Sequence, residues 1–325
     1  MDAPFFSVIV PTIGRTAGLV ALIDALERQT LPEGDFETII VADGIQLSSE
    51  VHAAIRRIGG RLVELESRRG PGAARNQGAA LARGEYLAFT EDDIVPGDDW
   101  LLAANARLGS NALDVLEGAT ELPDGSSARR RSPGGFSFIP TNLFIRKSMF
   151  VRADGYCELY FDERRSLYFR EDSDFGFSLA ACNARMEREA ASVVVHPFEH
   201  AGFWDPISWA RRYEMDPLLR TRHPARFRQE IEAHRIGRFT IRRPFVRASG
   251  VFVSAFVLVL AGAHSPGAWT RAAGLVAMAG SLLTIWAKWH FALRRLPLVP
   301  VVPFVMVRAL VIGRMRTRRI VPRWA

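Results

Sequence analysis

The sequence predicts an α/β fold in which a mostly parallel sheet is covered by helices on both faces, followed by a C-terminal transmembrane helical hairpin. Strand and helix signals alternate through the first ninety residues in the order βαβαβαβ. That alternation is typical of parallel sheets, whose strands are buried on both faces. Two apolar stretches near the C-terminus are close to the length that crosses a bilayer.

The predicted strands are short apolar runs, and the helices between them are indicated by apolar residues that share one face. Leu19, Leu22 and Leu26 have this spacing in the first helix, and a Gly/Pro loop precedes the third helix at 73–82. The four strands are predicted at 5–10, 36–42, 61–65 and 86–90.

The formal net charge of +7 is concentrated at the C-terminal end of the 325-residue chain. From Pro244 onward there are eleven Lys or Arg and no Asp or Glu, and in the remainder 35 acidic residues outnumber 31 basic ones. Because the basic residues flank apolar runs, they indicate a membrane surface and not a nucleic-acid partner. The two cysteines, Cys157 and Cys182, lack metal-ligand spacing, so we expect reduced thiols without a catalytic role.

The C-terminal region contains three apolar segments. The first two, at about 248–264 and 272–293, are joined by a short loop and predict a hairpin of two spans. Arginines at the outer ends of both segments place these ends in the cytoplasm. The third segment, 296–313, contains three prolines and Arg308, and fits an interfacial or re-entrant segment as well as a third span.

Three regions are predicted along the chain: a main domain at 1–203, a segment rich in Arg and aromatic residues at 204–247, and a membrane region at 248–325. The middle segment is expected to carry helices, either as an amphipathic platform beside the membrane or as a solvated face. The apolar run at 5–10 is too short for a signal peptide. We therefore expect the protein in the cell (inner) membrane, with the main domain facing the cytoplasm.

Polar residues directly follow three of the predicted strands. They are Pro11 and Thr12, then Asp43, then the acidic cluster 91–93. In open α/β sheets ligands bind beyond the carboxyl ends of the strands. A single Asp at such a position is more often a turn former, but three polar strand ends on one rim indicate a binding site.

The acidic cluster consists of Glu91, Asp92 and Asp93. Neighbouring carboxylates repel one another unless a cation or protons neutralise them. Mg²⁺ and Mn²⁺ favour oxygen ligands, and substrate phosphate often completes their coordination. The cluster therefore predicts a site for a divalent cation and a diphosphate, with a solvated acidic turn as the alternative.

A loop rich in glycine and arginine, residues 68–76, precedes the third helix. Its backbone N–H groups, together with Arg75, are suited to bind a phosphate. It is not a Walker loop, because no Gly-Lys-Ser/Thr follows. It is not a dinucleotide-binding loop either, because Gly70, Gly72 and Gly78 have the wrong spacing and precede the fourth strand.

A second group of polar residues lies between 137 and 183. Glu171 and Asp172 are placed at the N-terminus of a predicted helix, where the helix dipole and free N–H groups stabilise carboxylates. Helix capping alone would also explain Asp172. Asp174 is expected on the exposed side of the same helix, and Asn142 lies in an apolar segment upstream.

In order along residues 5–200, these motifs resemble family 2 glycosyltransferases of the GT-A fold, a Rossmann-like α/β fold. The resemblance implies transfer of a sugar from a nucleotide-diphosphate sugar, with inversion at the anomeric carbon and with Mg²⁺ or Mn²⁺ as cofactor. The Gln-x-x-Arg-Trp motif of processive members is absent, which favours transfer of a single sugar. The motifs that carry the resemblance are residues 7–12, Asp43, 70–76, 84–87 leading into 91–93, and Glu171-Asp172.

The resemblance also implies roles for individual residues. Asp172 matches the general base, a carboxylate that takes the proton of an acceptor hydroxyl as its oxygen attacks C1. The residues implied in donor binding are Pro11, Thr12, Arg15, Asp43, Gly70, Arg75 and Asp92. The residues implied in metal binding are Asp93 and Glu91, and those on the acceptor side are Asn142 and Glu171.

The chain departs from the family at Glu91, because the metal-binding signature usually begins with Asp. Glu is one methylene longer, so Asp93 is the preferred metal ligand. His196 and His200 follow a predicted strand at 192–195. A lone histidine there is more often structural than catalytic, and both are left out of the predicted site.

Two other functions remain open from the residues alone. A sugar nucleotidyltransferase also uses an α/β sheet and carboxylates, but it needs a triphosphate-binding loop after the first strand, where this chain has only residues 11–15. A membrane-anchored protein that binds nucleotide sugar without turnover is the second alternative. The expected partners are a nucleotide-sugar donor, a membrane, and a lipid-linked or membrane-proximal glycan acceptor. The donor base, the sugar and the choice among polyprenyl phosphate, glycolipid and polysaccharide acceptors stay open.

Overall fold

The computed structural model describes residues 3–109, 113–127, 140–198, 202–236, 239–261 and 268–320. The chain divides into two compact units, Met1–Glu199 and His200–Ala325. The first unit is an α/β domain and the second is mainly helical.

The first unit alternates strands and helices along the chain. Its strands are β1 Phe6–Thr12, β2 Phe36–Ala42, β3 Arg61–Glu64, β4 Tyr86–Phe89, β5 Val95–Pro96, β6 Val115–Glu121, β7 Leu143–Arg146, β8 Phe161–Asp162, β9 Leu167–Tyr168 and β10 Met186–Val195. Its α-helices are α1 Thr16–Glu27, α2 Ser49–Arg57, α3 Pro71–Leu81, α4 Trp100–Gly109, α5 Lys147–Arg152 and α6 Glu171–Ala181.

Eight of these strands form one mixed sheet in the order β3-β2-β1-β4-β7-β6-β10-β5. The first four are parallel neighbours, as their βαβ connections predict. Strand β7 is antiparallel to both β4 and β6, and β5 is antiparallel to β10. The predicted mostly parallel α/β fold is therefore confirmed for β1–β4, whereas the other half of the sheet is mixed.

The sheet has a hydrophobic core on each face, because successive side chains of a strand point in opposite directions. Along β1, Val8 and Val10 pack with α1, α2 and α4, whereas Ile9 packs with α3, α5 and α6. All three side chains are fully buried. Helices therefore cover both faces, which leaves the carboxyl-end rim of the strands for the polar residues.

The second unit begins with short helices and ends with three long ones. Its helices are α7 Asp205–Arg212, α8 Asp216–Arg222, α9 Pro224–Arg226, α10 Pro244–Ala261, α11 Ala268–Ala287 and α12 Val302–Ile320. A hairpin of β11 Ala233–Ile236 and β12 Phe239–Arg242 interrupts the segment where helices were predicted. The buried Asp216 accepts a hydrogen bond from Arg243 Nη2 at 2.6 Å, which fixes the base of this hairpin to α8.

The predicted pair of membrane spans is only partly found. Within the part of the chain that the structure describes, one helix is long and apolar enough to cross a membrane, Trp269–Ala287, with a mean hydropathy of 1.3. The apolar part of α10, Pro244–Leu260, is shorter. Residues 264–267 of the predicted connecting loop, 264–271, lie outside the described residues, and 268–271 belong to α11.

The second predicted span is also shorter than 272–293, because the helix ends at Ala287. Turns follow in which His290 and Phe291 have left-handed backbone angles, with φ values of 51° and 56°. A right-handed helix cannot continue through such residues.

The third apolar segment forms the first part of α12, which starts at Val302 after two of the three prolines. Its buried residues recur at helical spacing and face α7, α8 and the 3₁₀ turn at Tyr213–Met215. A Cβ on Gly313 would lie 2.1 Å from the Glu214 carbonyl oxygen, so this glycine permits close backbone contact. One face of α12 is therefore covered by protein within the second unit.

Candidate active site

A cavity of about 420 Å³ lies at the carboxyl-end rim of β1, β2 and β4 in the first unit. This is the rim at which ligands bind in open α/β sheets. The structure brings ten of the twelve predicted site residues to it, and places Gly70 and Asn142 elsewhere. The predicted residues that line the cavity are Pro11, Thr12, Arg15, Asp43, Arg75, Glu91, Asp92, Asp93, Glu171 and Asp172.

At one end of the cavity, the buried Asp43 holds the loop between β3 and α3. Its two carboxylate oxygens accept hydrogen bonds from the backbone N–H groups of Arg69 at 2.7 Å and Gly70 at 2.9 Å. Gly70 therefore contributes through its backbone, beneath the cavity lining. A Cβ on Gly44 would lie 2.2 Å from the Arg68 nitrogen, so the glycine after Asp43 lets the two loops meet.

We expect Gly70→Ala to lower the melting temperature and to weaken donor binding. Gly70 has φ 90° and ψ 163°, backbone angles that only glycine readily adopts, and an added Cβ would lie 2.5 Å from Phe161 Cγ. Such strain costs about 1–3 kcal/mol. Gly59→Ala is the control for thermal unfolding, because Gly59 has φ 61° but open space around its missing Cβ. Equal melting temperatures for the two variants would contradict this account.

Two residues, Thr12 and Arg15, connect the end of β1 to the acidic cluster. The Thr12 hydroxyl donates to Asp92 Oδ2 at 2.6 Å, and Arg15 Nη1 contacts both Asp92 Oδ1 at 3.0 Å and Asp93 Oδ2 at 2.6 Å. Burial raises the pKa of Asp92, and the Thr12 hydrogen bond and the Arg15 charge offset only part of that effect. Arg15 thus acts as an internal counter-ion for two neighbouring carboxylates.

Glu91, Asp93 and His196 form a group that is able to hold a metal ion. One potential ligand atom from each lies within 4.8 Å of the other two. Two carboxylates and one imidazole suit Mn²⁺ and similar divalent cations. His196 reaches this position because β5, directly after the acidic cluster, pairs with the end of β10 through Val95 and Val195.

The tautomer of His196 is suited to metal binding. Its Nδ1 lies 2.7 Å from the Pro197 carbonyl oxygen, which can only accept a hydrogen bond, so Nδ1 is the protonated nitrogen. In the neutral ring Nε2 then carries the lone pair. Metal-binding histidines commonly donate their other N–H to a carbonyl or carboxylate in this way.

The charge of the cavity lining also favours a cation. Six carboxylates line the cavity but only three arginines do, Arg15, Arg68 and Arg75, which leaves a formal excess of three negative charges. Excess negative charge in a confined site is costly unless a cation or protons compensate it. A divalent metal would remove most of this excess and permit a diphosphate to bind.

Asp172 lies on the first turn of α6 at the cavity, but it is not the helix cap. The N-cap is Arg170, with a left-handed φ of 79°, and the cap makes no side-chain hydrogen bond. Asp172 Oδ1 has no hydrogen-bond partner among the described residues, and Arg75 Nη1 lies 3.9 Å from it. Burial, together with the charges of Glu171 and Glu91, raises the pKa of Asp172 well above its usual value, and Arg75 opposes this shift. Helix capping therefore does not explain the position of Asp172.

Two of the sequence expectations for this region need correction. Asn142 does not reach the cavity, because its amide nitrogen donates to the backbone oxygens of Ala119 and Ser192 and its oxygen accepts from Trp100 Nε1. Asp174 is 1% exposed and accepts a hydrogen bond from the Tyr160 hydroxyl at 2.9 Å, so it is not on the exposed side. Asn142 therefore ties the start of β7 to the backbones of β6 and β10, and it does not line the cavity.

Sequence reasoning missed several residues of the cavity. His196 was set aside as structural, although it directly follows a strand end, as the other polar residues of the rim do. Arg68 belonged to the glycine and arginine loop but was not selected. Tyr168 and Phe198 carry no sequence signal, since nothing in an isolated aromatic residue indicates exposure in a cavity.

Comparison with known proteins identifies the family. Residues 7–174, more than half of the chain, match the model of glycosyl transferase family 2. Glycosyltransferase AglE of Haloferax volcanii is 29% identical over 156 residues, covering 46% of this chain and 49% of that protein. Succinoglycan biosynthesis protein ExoO of Rhizobium meliloti is 26% identical over 65% of this chain and 70% of ExoO. The chain thus spans about half the length of AglE.

Solved structures show the same fold. The TarS 1–349 fragment of S. aureus in complex with UDP superposes with a TM-score of 0.54 at 16% identity, covering 97% of this chain and 91% of the fragment. The mannosyltransferase PcManGT of Pyrobaculum calidifontis, in complex with GDP-Man and Mn²⁺, gives the same TM-score and identity, with 96% and 88% coverage. The fold, the ordered motifs and the matched residues agree: the chain belongs to glycosyl transferase family 2 and has its GT-A fold.

Proposed function

We propose that this protein transfers one sugar from a nucleotide-diphosphate sugar to an acceptor hydroxyl, with inversion at the anomeric carbon. The observation that carries the proposal is that one cavity is lined by Asp172, whose Oδ1 has no hydrogen-bond partner among the described residues, and by the group Glu91, Asp93 and His196. A general base and a charge-neutralising site are the two parts that such a transfer requires.

Asp172 acts as the general base in this proposal. Its Oδ1 takes the proton of the acceptor hydroxyl as the hydroxyl oxygen attacks C1 of the donor sugar. The bond between C1 and the diphosphate oxygen breaks on the opposite face, and the nucleoside diphosphate leaves with the bonding electrons. A single displacement inverts the configuration at C1, so the proposal needs no covalent sugar–enzyme intermediate.

The donor side rests on the loops around Asp43 and the rim of β1. We assign Pro11, Thr12 and Asp43 to the base, Asp92 to the ribose, and Arg15 and Arg75 to the phosphate charge. All of these residues line the cavity. The structural neighbours in complex with UDP, UDP-GlcNAc and GDP-Man support a nucleotide-sugar donor.

Asp93 and Glu91, together with His196, are proposed to hold Mg²⁺ or Mn²⁺. A divalent metal bound there would neutralise charge that develops on the departing diphosphate. Glu91 is already oriented by a hydrogen bond from the Thr141 hydroxyl to Oε2 at 2.9 Å and by Arg75 Nη2 at 3.4 Å from Oε1. The Mn²⁺ complex of PcManGT supports a divalent cofactor.

The acceptor is proposed to be lipid-linked or a membrane-proximal glycan, and the protein to reside in the cell membrane with its first unit in the cytoplasm. Two observations support this location: the length and hydropathy of α11, and the exposure of apolar residues on its surface, among them Trp269 at 89% and Val276 at 72%. The names of ExoO and TarS, a succinoglycan biosynthesis protein and a poly(ribitol-phosphate) N-acetylglucosaminyltransferase, support a polymer of the cell envelope as the product.

A donor screen tests the proposed reaction. Purified protein is incubated with UDP-, GDP- and dTDP-sugars, with and without Mn²⁺, and release of nucleoside diphosphate is measured. We expect hydrolysis of one donor class that depends on the metal. Release of pyrophosphate from a nucleoside triphosphate and sugar phosphate would instead indicate a nucleotidyltransferase. Binding of a nucleotide sugar without turnover under any condition would indicate the non-enzymatic alternative.

Cysteine labelling tests the proposed topology. If both outer ends of the apolar hairpin face the cytoplasm, an impermeant thiol reagent outside the cell should modify Ser265→Cys and spare Ser49→Cys. Position 49 is exposed and makes no capping contact, whereas Ser48 accepts a hydrogen bond from Val51 N and should be kept. Labelling of Ser49→Cys, or of neither variant in intact cells, would contradict this topology.

The pH dependence of transfer tests the base. Because the pKa of Asp172 is raised in the folded protein, the carboxyl takes up its proton at a higher pH than an ordinary Asp does. The rate should therefore be lost as the pH falls through this raised pKa, while donor affinity should fall less steeply. The measurement is transfer at saturating donor across pH 4–9. A rate that stays flat until about pH 4, the ordinary range of Asp, would contradict the assignment.

A further inference from the structure

The cavity also contains two aromatic side chains to which no donor or metal role has been assigned. Tyr168 and Phe198 both line it, and their side chains are large apolar groups that remain 46% and 51% exposed. Exposed aromatic faces inside a polar cavity are unusual, because burying them against the core would stabilise the fold. Their exposure is understandable if a ligand covers them.

A sugar ring is a suitable ligand for such faces. The face of an aromatic ring is negative and its edge is positive. The axial C–H bonds of a pyranose form an apolar patch with slight positive charge, which packs on an aromatic face. A phosphate group offers no such patch, so the two aromatic residues favour a carbohydrate over a phosphate at this position.

The charges around Asp172 disfavour an anionic acceptor. Asp172 is adjacent to Glu171, and Arg75 is shared between Asp172 at 3.9 Å and Glu91 at 3.4 Å. The Arg75 guanidinium is 3% exposed and lies over the Tyr156 ring at 5.2 Å, and its single charge is outnumbered by the carboxylates that share it. Three carboxylates and one shared cation repel an approaching phosphate oxyanion.

The other two arginines of the cavity have contacts away from Asp172. Arg15 pairs with Asp92 and Asp93, and Arg68 Nη1 donates to Ser166 Oγ at 3.2 Å while its guanidinium lies over the Phe161 ring. A neutral hydroxyl, in contrast, gains a hydrogen bond to Asp172 without repulsion. It also needs a base, which a phosphate oxyanion does not.

We infer that the acceptor is the hydroxyl of a neutral sugar ring, packed on Tyr168 and Phe198 beside Asp172, and not the phosphate of a polyprenyl phosphate. This inference rests on the proposed transfer reaction and names its acceptor class. The sugar can itself be attached to a lipid, since the inference concerns the group that reacts.

Paired acceptors test this inference. The full-length protein, with the donor chosen by the hydrolysis screen, is given a panel of decyl glycosides or a polyprenyl phosphate of matched solubility, and labelled product is measured. We expect transfer to a decyl glycoside and at least a tenfold lower rate to the phosphate. A comparable or faster rate to the phosphate, or no transfer to any glycoside while donor binding is intact, would overturn the inference. Absence of metal-dependent donor binding would instead reject the proposed function.

Variants of the two aromatic residues provide the second readout. Tyr168→Ala and Phe198→Ala should each raise the KM for the glycoside about tenfold, with an unchanged Kd for the donor, and Tyr168→Phe should retain the wild-type KM. Phe239→Ala is the matched control, because Phe239 is 62% exposed and lies outside the cavity. An unchanged acceptor KM in both alanine variants would also overturn the inference, and a simple loss of folding would appear as loss of donor binding.

Discussion

Asp172→Asn should abolish sugar transfer while leaving the fold and donor binding intact. Asparagine has nearly the shape of aspartate but cannot take a proton from the acceptor hydroxyl. Removing a general base typically lowers the rate about 10²–10⁴-fold. Transfer is measured with purified protein, and donor affinity in the presence of Mn²⁺ is measured by calorimetry.

Stability separates this outcome from a structural defect. The raised pKa of Asp172 means that the folded protein prefers the protonated form. Its stabilising contribution is present below the ordinary pKa of Asp and is lost as the pH rises through the raised value. At neutral pH, Asp172→Asn should therefore be at least as stable as the wild type.

Asp174→Asn is the contrasting variant, because it weakens the buried hydrogen-bond acceptor of the Tyr160 hydroxyl and should lower the melting temperature. Near wild-type transfer by folded Asp172→Asn would remove Asp172 from the mechanism.

Asp93→Ala and His196→Ala should each abolish the contribution of Mn²⁺ to donor binding. Both residues belong to the group whose ligand atoms lie within 4.8 Å of one another. Loss even of a partner that only orients a ligand costs about 10–100-fold in metal affinity. Loss of a ligand should cost at least as much. Calorimetric titration with donor, with and without Mn²⁺, measures the effect directly.

Matched controls exist for both substitutions. Asp98 is an exposed carboxylate a few residues beyond the acidic cluster and pairs with Arg28. His52 lies on α2. Neither residue lines the cavity. Asp98→Ala and His52→Ala should retain the full Mn²⁺ effect. If His196→Ala also retained it while Asp93→Ala lost it, the metal would be held without the imidazole. If both retained it, the metal site would be elsewhere.

The part of the cavity formed by the ends of β1, β2 and β4 could be predicted from the sequence, because each of its residues directly follows a predicted strand. Thr12, Asp43 and Asp92 each follow an apolar run that forms a parallel strand, and parallel strands align their carboxyl ends without further information. The helical spacing of the apolar residues that follow it placed Asp172 at a helix N-terminus. What the sequence left open was whether it caps the helix, since this depends on the left-handed backbone of Arg170.

The sequence predictions that proved wrong concern positions whose contacts or backbone conformation depend on residues outside their own motif. The sequence predicted that Asn142 would be on the acceptor side. Its side-chain amide instead donates a hydrogen bond to the backbone of Ser192, fifty residues away. The sequence predicted Asp174 on the exposed side of its helix. In the structure Tyr160, from the preceding segment, donates a hydrogen bond to it and buries it. The second apolar stretch has the composition of a longer helix, and only the left-handed turn at His290 and Phe291 ends it at Ala287.

The pairing of β5 with β10 has a consequence for the order in which the protein matures. Val95 and Pro96 emerge from the ribosome soon after the acidic cluster, but their partners on β10 emerge roughly 100 residues later. Until then the imidazole of His196 is absent and the carboxylates of Glu91 and Asp93 have no nitrogen ligand beside them. A growing chain therefore lacks part of the proposed metal-binding group for most of the synthesis of its first unit. Manganese should protect the finished domain from proteolysis, and should not protect a ribosome-bound chain that ends before β10.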